Sequence, residues 1–485
     1  MASFGRRWWI TSGAVGGFSM GVAASFLLRQ PDQGQTTAAA AAVAAASPAP
    51  AYSPARPDQL VGGQVSVGDV VPRTSLYDAA IQASREMIKL TKEEMGIPGV
   101  SIAVNVNGKT VWTEGFGYAD VENGVPCTPK TVMRIASISK SLTMAALAKL
   151  WESGKIDLDQ PVQLYVPKFP KKTFEGKPVC GKCEKYVLRD HKCVHLTDCF
   201  TSQVEITTRH LVSHLAGIRH WKGGEETTPS VDQQVIPEFY MNTRFKTVED
   251  ALTIFENDEL LHEPGTKYLY SSPAWTLVSV VMEKCAGISY RELMINMCNQ
   301  LGLTHTRMDE NDLITRNRAR YYTRNKHGKL INSPCVDNSC KWAGGGFQST
   351  VGDLVKFGDA MLYCYQGGPN GYLKRDTIEA LWTISPYTIQ APKGLAPTSG
   401  YGLGWVVTPA LTKCGGVEPQ SFSVNHTGGA VGASSILLIV PQEPKDRELP
   451  SGVSVAMIVN MQAINLTKLA RDIATQFWTA KCAGL

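Results

Sequence analysis

Ser137 and Lys140 stand three residues apart in "ASISKSLT" (136–143), a spacing that puts two side chains on one face of a helix. A serine hydroxyl attacks a carbonyl only when something takes its proton. A lysine amine withdrawn from water gives up its own proton more readily, so it can act as that base or as a relay. "KTVMR" ahead reads as a strand leading into a helix, and "MAALAKLWESGKI" behind is strongly helical. A serine at such a helix start also gains from the dipole, and its own amide can face an oxyanion. The bland alternative is that a Ser-x-x-Lys pair arises by chance, with Ser137 or Ser139 only capping the helix.

Two further stretches strengthen the chemical reading. In "PGTKYLYSSPAW" (264–275), Tyr270-Ser271-Ser272 would set a phenol on a loop. Near a lysine such a phenol can carry a proton between the serine and a leaving group, although most tyrosines serve packing. In "VNHTGGAVGASSILLIVP" (424–441), His426, Thr427, Gly428 and Gly429 precede a strand, with glycines where a backbone comes close to a ligand. The Gly429 amide would join that of Ser137 in an oxyanion hole, while His426 and Thr427 would contact substrate.

The elements that must position these groups are legible at both ends of the chain. "SLYDAAIQASREMIKLTKEEMG" from Ser75 has apolar residues at helical spacing and ends on glycine. Residues 99–120 alternate around Asn107-Gly108, the pattern of a β-hairpin. "SSILLIVPQ" and "GVSVAMIVNMQ" are two more strands, and "NLTKLARDIATQFW" is a last amphipathic helix. The fold class is therefore α/β, an α+β sandwich. An antiparallel sheet built from both ends is flanked by terminal helices, and 141–400 forms a second, mainly helical lobe. The site is expected in the cleft between them.

The chain has 485 residues, 43% apolar and 19% charged, the balance of a globular protein. Its net charge is +5, of which Arg6, Arg7 and Arg29 supply three within the acid-free residues 1–31. The remainder gives no electrostatic reason for a nucleic-acid partner. Residues 1–31 read as a targeting segment. The nearly uncharged run 10–28 is long enough to span or associate with a membrane before processing, so a secretory signal, an anchor and a mitochondrial presequence compete. Residues 32–74 are an Ala/Pro-rich linker, and 75–485 form the folded domain. A secretory route would expose Asn425 and Asn465 to glycosylation.

In this order, Ser137-x-x-Lys140, Tyr270-x-Ser272 and His426-Thr427-Gly428 resemble the motifs of the penicillin-binding-protein and serine β-lactamase superfamily. The tyrosine motif resembles its class C and esterase branch, as does "LVSHLAGIRH" (211–220), whose His214 reads as structural. "VDNSCKWAGGGFQSTVGDLVKFGDAMLY" and "HTGGAVGASS" are similar to the mitochondrial β-lactamase-like group of animals, over about 75–485. The resemblance implies a β-lactamase/transpeptidase-like fold and a serine hydrolase with peptidase- or esterase-like substrates, needing no catalytic cofactor. It further implies a place in the mitochondrial intermembrane space, assembly into homo-oligomers or filaments, and a link to lipid metabolism. It makes Ser137 the acyl-enzyme nucleophile, Lys140 its base partner and Tyr270 the second relay. Two departures argue against an efficient β-lactamase. His426 stands where a lysine usually does, and Ser272 where an asparagine often does. An alternative from another class is a filament-forming scaffold with a vestigial pocket.

"CGKCEKYVLRDHKCVHLTDC" (180–199) lies outside that resemblance. Cys180, Cys183, Cys193 and Cys199, with His191 or His195 as substitutes, have the spacing of a structural zinc site. The oxidising compartment implied by the resemblance equally allows two disulfides, and free thiols are the third alternative. Cys335 and Cys340 form a second candidate pair.

Overall fold

The computed structural model describes residues 76–174, 177–178, 186–189, 192–195, 205–222, 238–389, 399–411, 421–444 and 449–483. Pro72–Leu485 makes one compact unit. The targeting segment, most of the linker and the 10–28 run lie outside the described residues. Among those described, no helix is long and apolar enough to cross a membrane.

Helix α1 (Asp78–Met95) stops at Gly96, whose φ of 59° is the left-handed conformation that glycine adopts freely. Six further helices matter to the site: α2 (Ile138–Glu152), α3 (Pro273–Ala286), α4 (Tyr290–Leu301), α5 (Trp342–Gly345), α6 (Val351–Tyr365) and α7 (Thr467–Ala483). Helix α2 is buried on nearly every side, Lys140 included, as befits a helix running through a core.

The main sheet comprises β1 (Gly99–Val106), β2 (Lys109–Asp120), β3 (Val125–Pro126), β4 (Gly400–Tyr401), β5 (Val406–Thr408), β6 (Ser423–Ala430), β7 (Ala433–Pro441) and β8 (Gly452–Val459). Their order is β4-β5-β6-β7-β8-β1-β2-β3, antiparallel throughout. The expected hairpin turns at Asn107 and Gly108, both at positive φ (52° and 71°), the geometry Asn-Gly favours. The two ends of the chain meet where Val100 pairs with Val459 and Val106 with Val453.

Alternation along β8 divides the core. Val453, Val455, Met457 and Val459 join Ile88 of α1 and Phe477 of α7, while Ala456 and Ile458 join the cluster that includes α2 and α3. Both faces are covered, which is why these strands read as continuous apolar runs.

The middle of the chain packs around α2, α3 and α4 but also carries short strands. Met133–Arg134 pairs with Phe347–Ser349, fixing the segment that leads to Ser137. Tyr186–Arg189 and Lys192–His195 form a small hairpin. Cys180, Cys183, His191 and Cys199 lie outside the described residues, as do the side chains of Cys193 and His195, so the zinc reading falls outside what the structure describes. Among the described residues no His/Cys/Asp/Glu cluster could hold a metal. Cys335 and Cys340 are free thiols, so that candidate disulfide is not formed.

Candidate active site

Ser137 opens α2 from a strained turn. Ala136 has φ of 48°, a region costly to a residue with a Cβ. Its neighbours hold it there. Ile135 N–H donates to Phe347 O at 3.0 Å, Ser139 Oγ donates to Ala136 O at 2.5 Å, and Ser435 Oγ donates to Ile135 O at 2.7 Å. Ser137 occupies the N-cap position, yet its hydroxyl makes no capping bond. Instead its Oγ accepts from Tyr270 OH at 2.8 Å and from Lys140 Nζ at 3.0 Å. The local structure thus leaves the hydroxyl to the site.

Lys140 is fully buried. Its Nζ also donates to Ser272 Oγ at 3.0 Å and to Gly344 O at 2.5 Å. These acceptors, with Ser137, match the three protons of an ammonium group. The Nζ lies 4.8 Å from the centroid of the Tyr270 ring. Ser272, standing where an amide donor was missed, therefore serves the lysine.

Two histidines hold the tyrosine motif. His214 Nδ1 accepts from Ser271 N–H at 3.1 Å and His220 Nδ1 from Ser272 N–H at 3.2 Å. The His214 ring lies 4.2 Å from that of Tyr270. Burial, with the positive charge of Lys140 next in weight, pushes the His214 pKa well below its ordinary value. The ring is neutral, consistent with the structural role its sequence suggested.

Strand β6 brings the glycine motif alongside. A Cβ on Gly428 would stand 2.3 Å from Ile135 O, whereas one on Gly429 would meet nothing within 4 Å. Only glycine lets the strand approach the Ser137 turn at 428. Thr427 is exposed, and Gly429 lines the cleft. His426 is 2% exposed. Its Nε2 accepts from Tyr401 OH at 2.8 Å while Nδ1 donates to Thr427 O at 2.7 Å. Burial, and then Lys140, lowers its pKa to about 3. Both ring nitrogens are thus engaged by protein atoms and the ring is uncharged.

A cleft joins Ser137, Ser272, Gly344 and Gly429 to Trp221, Phe239 and Lys341. Its volume is about 20 Å³, close to the space of one water. Beneath it, Arg134 Nε and Asn338 Nδ2 both donate to Asp309 Oδ2 at 2.7 Å, and Arg134 Nη1 donates to Val431 O at 2.8 Å. This buried hub ties the strand before Ser137 to two residues of the cleft wall. Sequence reasoning singled out neither Gly344 nor Lys341, although both sit in the quoted "VDNSCKWAGGGF". Tyr401 carried no signal at all.

A serine flanked by a lysine and a tyrosine, at the head of a buried helix beside an antiparallel sheet, defines a class of serine hydrolases. The Beta-lactamase family model matches residues 85–472, and the chain belongs to that family. It is similar to the mitochondrial serine beta-lactamase-like protein LACTB of Mus musculus, 39% identical over 84% of this chain and 82% of that one. The Homo sapiens protein of that name is 38% identical over 84% and 81%. Solved structures share the fold. A class C beta-lactamase superposes with TM-score 0.59 at 18% identity, covering 83% of this chain and 99% of the other. An octameric penicillin-binding protein homologue from Pyrococcus abyssi gives 0.61 at 22% identity, over 83% and 77%.

Proposed function

We propose that this chain hydrolyses a peptide or ester by acyl transfer through Ser137. The observation that carries the reading is the convergence of Tyr270 OH and Lys140 Nζ on Ser137 Oγ, at 2.8 and 3.0 Å. As Ser137 attacks the carbonyl, its proton has two acceptors within reach once either neighbour has released one of its own. The oxyanion forms against the amides of Ser137 and Gly429, which line the same cleft. Tyr270 returns the proton to the leaving group, and water then hydrolyses the acyl-enzyme. No step needs a cofactor. Ser272 assists by orienting Lys140, Gly428 by admitting β6, and His426 and Thr427 by shaping the wall behind Gly429.

The neutral His426 supports poor turnover of β-lactams. A mitochondrial address follows the names of the LACTB relatives, with the basic segment 1–31 as presequence and the intermembrane space as compartment. Residues 32–74 then tether the 75–485 domain. Self-assembly into oligomers or filaments, and a consequence for lipid metabolism, belong to the same reading. The octameric neighbour from Pyrococcus abyssi supports the oligomeric part.

Intact-mass labelling with a fluorophosphonate, beside Ser137→Ala, tests the core of this. One adduct, lost in the variant, is expected. An unlabelled, folded wild-type protein would overturn it.

A further inference from the structure

Helix α7 packs on β7 and β8, and the sheet runs on past it through β6 and β5. The step between helix and strands is a trough of about 360 Å³, within the range of small-molecule sites. It lies apart from Ser137. Val424 of β6 joins the core cluster that includes α2, so the neighbouring Ser423 faces the opposite side of the sheet, where it lines the trough.

The two ends of the trough differ in kind. Arg471, Ala474, Thr475 and Trp478 line it from α7, at the spacing of one helix stripe. Seven residues of helical rise set Arg471 and Trp478 about 10 Å apart along the axis. Leu438 and Val440 extend the apolar lining. At the polar end, Arg471 Nη2 donates to Oγ1 of the buried Thr408 at 3.2 Å, and Thr408 pairs in register with Ser423. Two hydroxyl residues thus stand beside the guanidinium. Among the described residues no carboxylate pairs with Arg471, and the adjacent Asp472 is held by Lys468 at 2.6 Å. A guanidinium with donors to spare matches the two oxygens of a carboxylate.

We propose that this trough binds an amphipathic monocarboxylate. Its carboxylate sits on Arg471 and its apolar body runs along Leu438 and Val440 to Trp478. An extended chain of about eight carbons fills the span of about 10 Å. The site does not depend on the hydrolase reading, since no group of the Ser137 cleft lines it.

Calorimetric titration of the full chain with n-octanoate, 1-octanol and n-butanoate tests this, in wild type and Arg471→Gln. Arg471 is exposed, so the variant should keep the wild-type melting temperature. Wild type should bind n-octanoate saturably at one site, at least about fivefold tighter than 1-octanol, the return of a charge-assisted hydrogen bond in contact with water. n-Butanoate, too short to reach Trp478, should bind at least about tenfold more weakly than n-octanoate. Arg471→Gln should erase the preference for n-octanoate while leaving the affinity for 1-octanol unchanged. The site is overturned if n-octanoate shows no saturable binding, or if 1-octanol or n-butanoate binds wild type as tightly. A preference for n-octanoate that survives Arg471→Gln overturns it too, by placing the carboxylate elsewhere on the protein. So does a loss in the variant that 1-octanol shares, because the arginine would then be serving the fold.

Discussion

The imidazole of His214 lies tilted against the phenol of Tyr270, ring centroids 4.2 Å apart, while its Nδ1 takes the amide of Ser271. One side chain thereby fixes both the ring and the backbone of the tyrosine motif. Replacing His214 by Ala should free the phenol to turn from Ser137, slowing fluorophosphonate labelling by at least about tenfold. The lost ring also leaves a cavity in the core, so a stability loss of about 2–4 kcal/mol in urea melts is expected. Labelling at the wild-type rate in folded His214→Ala would refute the positioning role.

Tyr270→Phe keeps the ring against His214 and deletes the hydroxyl that bonds Ser137 at 2.8 Å. Labelling should fall by about 10²- to 10⁴-fold, the usual contribution of a proton-transfer group, with an unchanged melting temperature. Equal loss of rate and of thermal stability would show that the hydroxyl serves the fold instead.

Neutral burial of His426 makes stability depend on pH. Its folded pKa of about 3 lies below the unfolded value of 6.5. Only the unfolded state takes up its proton as pH falls below 6.5, so folding loses stability from there down to about 3. The limiting slope is about 1.4 kcal/mol per pH unit. Urea melts of wild type and His426→Asn across that range should diverge, with the variant shallower. Parallel curves would place a charged or freely titrating ring at 426.

Asp359 runs the other way. It is tucked between α6 and the sheet, accepting from Asn105 Nδ2 at 2.6 Å and Ser454 Oγ at 2.7 Å. Burial raises its pKa above the usual carboxylate value. Its charged form therefore weighs against folding at neutral pH, and that penalty is relieved as pH drops through the folded pKa. Asp359→Asn should stabilise the protein, more at pH 8 than in acid where the carboxyl is protonated in both states. Thermal melts across that range decide it, and a destabilised variant at pH 8 would count against this account.

Two adjacent glycines should respond differently. Gly428→Ala drives a Cβ to 2.3 Å from Ile135 O, while Gly429→Ala enters open space. The first should cost about 1–3 kcal/mol through overpacking and displace β6 from the Ser137 turn. The second should leave the melting temperature close to wild type. Comparable melting temperatures would mean that β6 yields easily.

Ser137, Lys140 and Tyr270 were legible because their chemistry is written in short spacings. The Asn107-Gly108 hairpin was legible because its turn restricts which residues fit. The partners that fix those groups were not. Tyr401 meets His426 only because β4 and β6 share a sheet, and no local pattern announces that. His426 illustrates the cost. Read as a substrate contact, it proves to have both nitrogens taken up by the protein.

The pairing of β1 with β8 joins Val100 to Val459, so the centre of the sheet is closed by segments far apart along the chain. Closing so long a loop is slow and must precede any reward from the contacts it permits. A growing chain therefore has its nucleophile long before it has the sheet that shapes the site. Interruption before Gly452 yields exposed strand edges and an aggregation-prone fragment, not a weakened enzyme. The connectivity itself delays reactivity until β8 has been made.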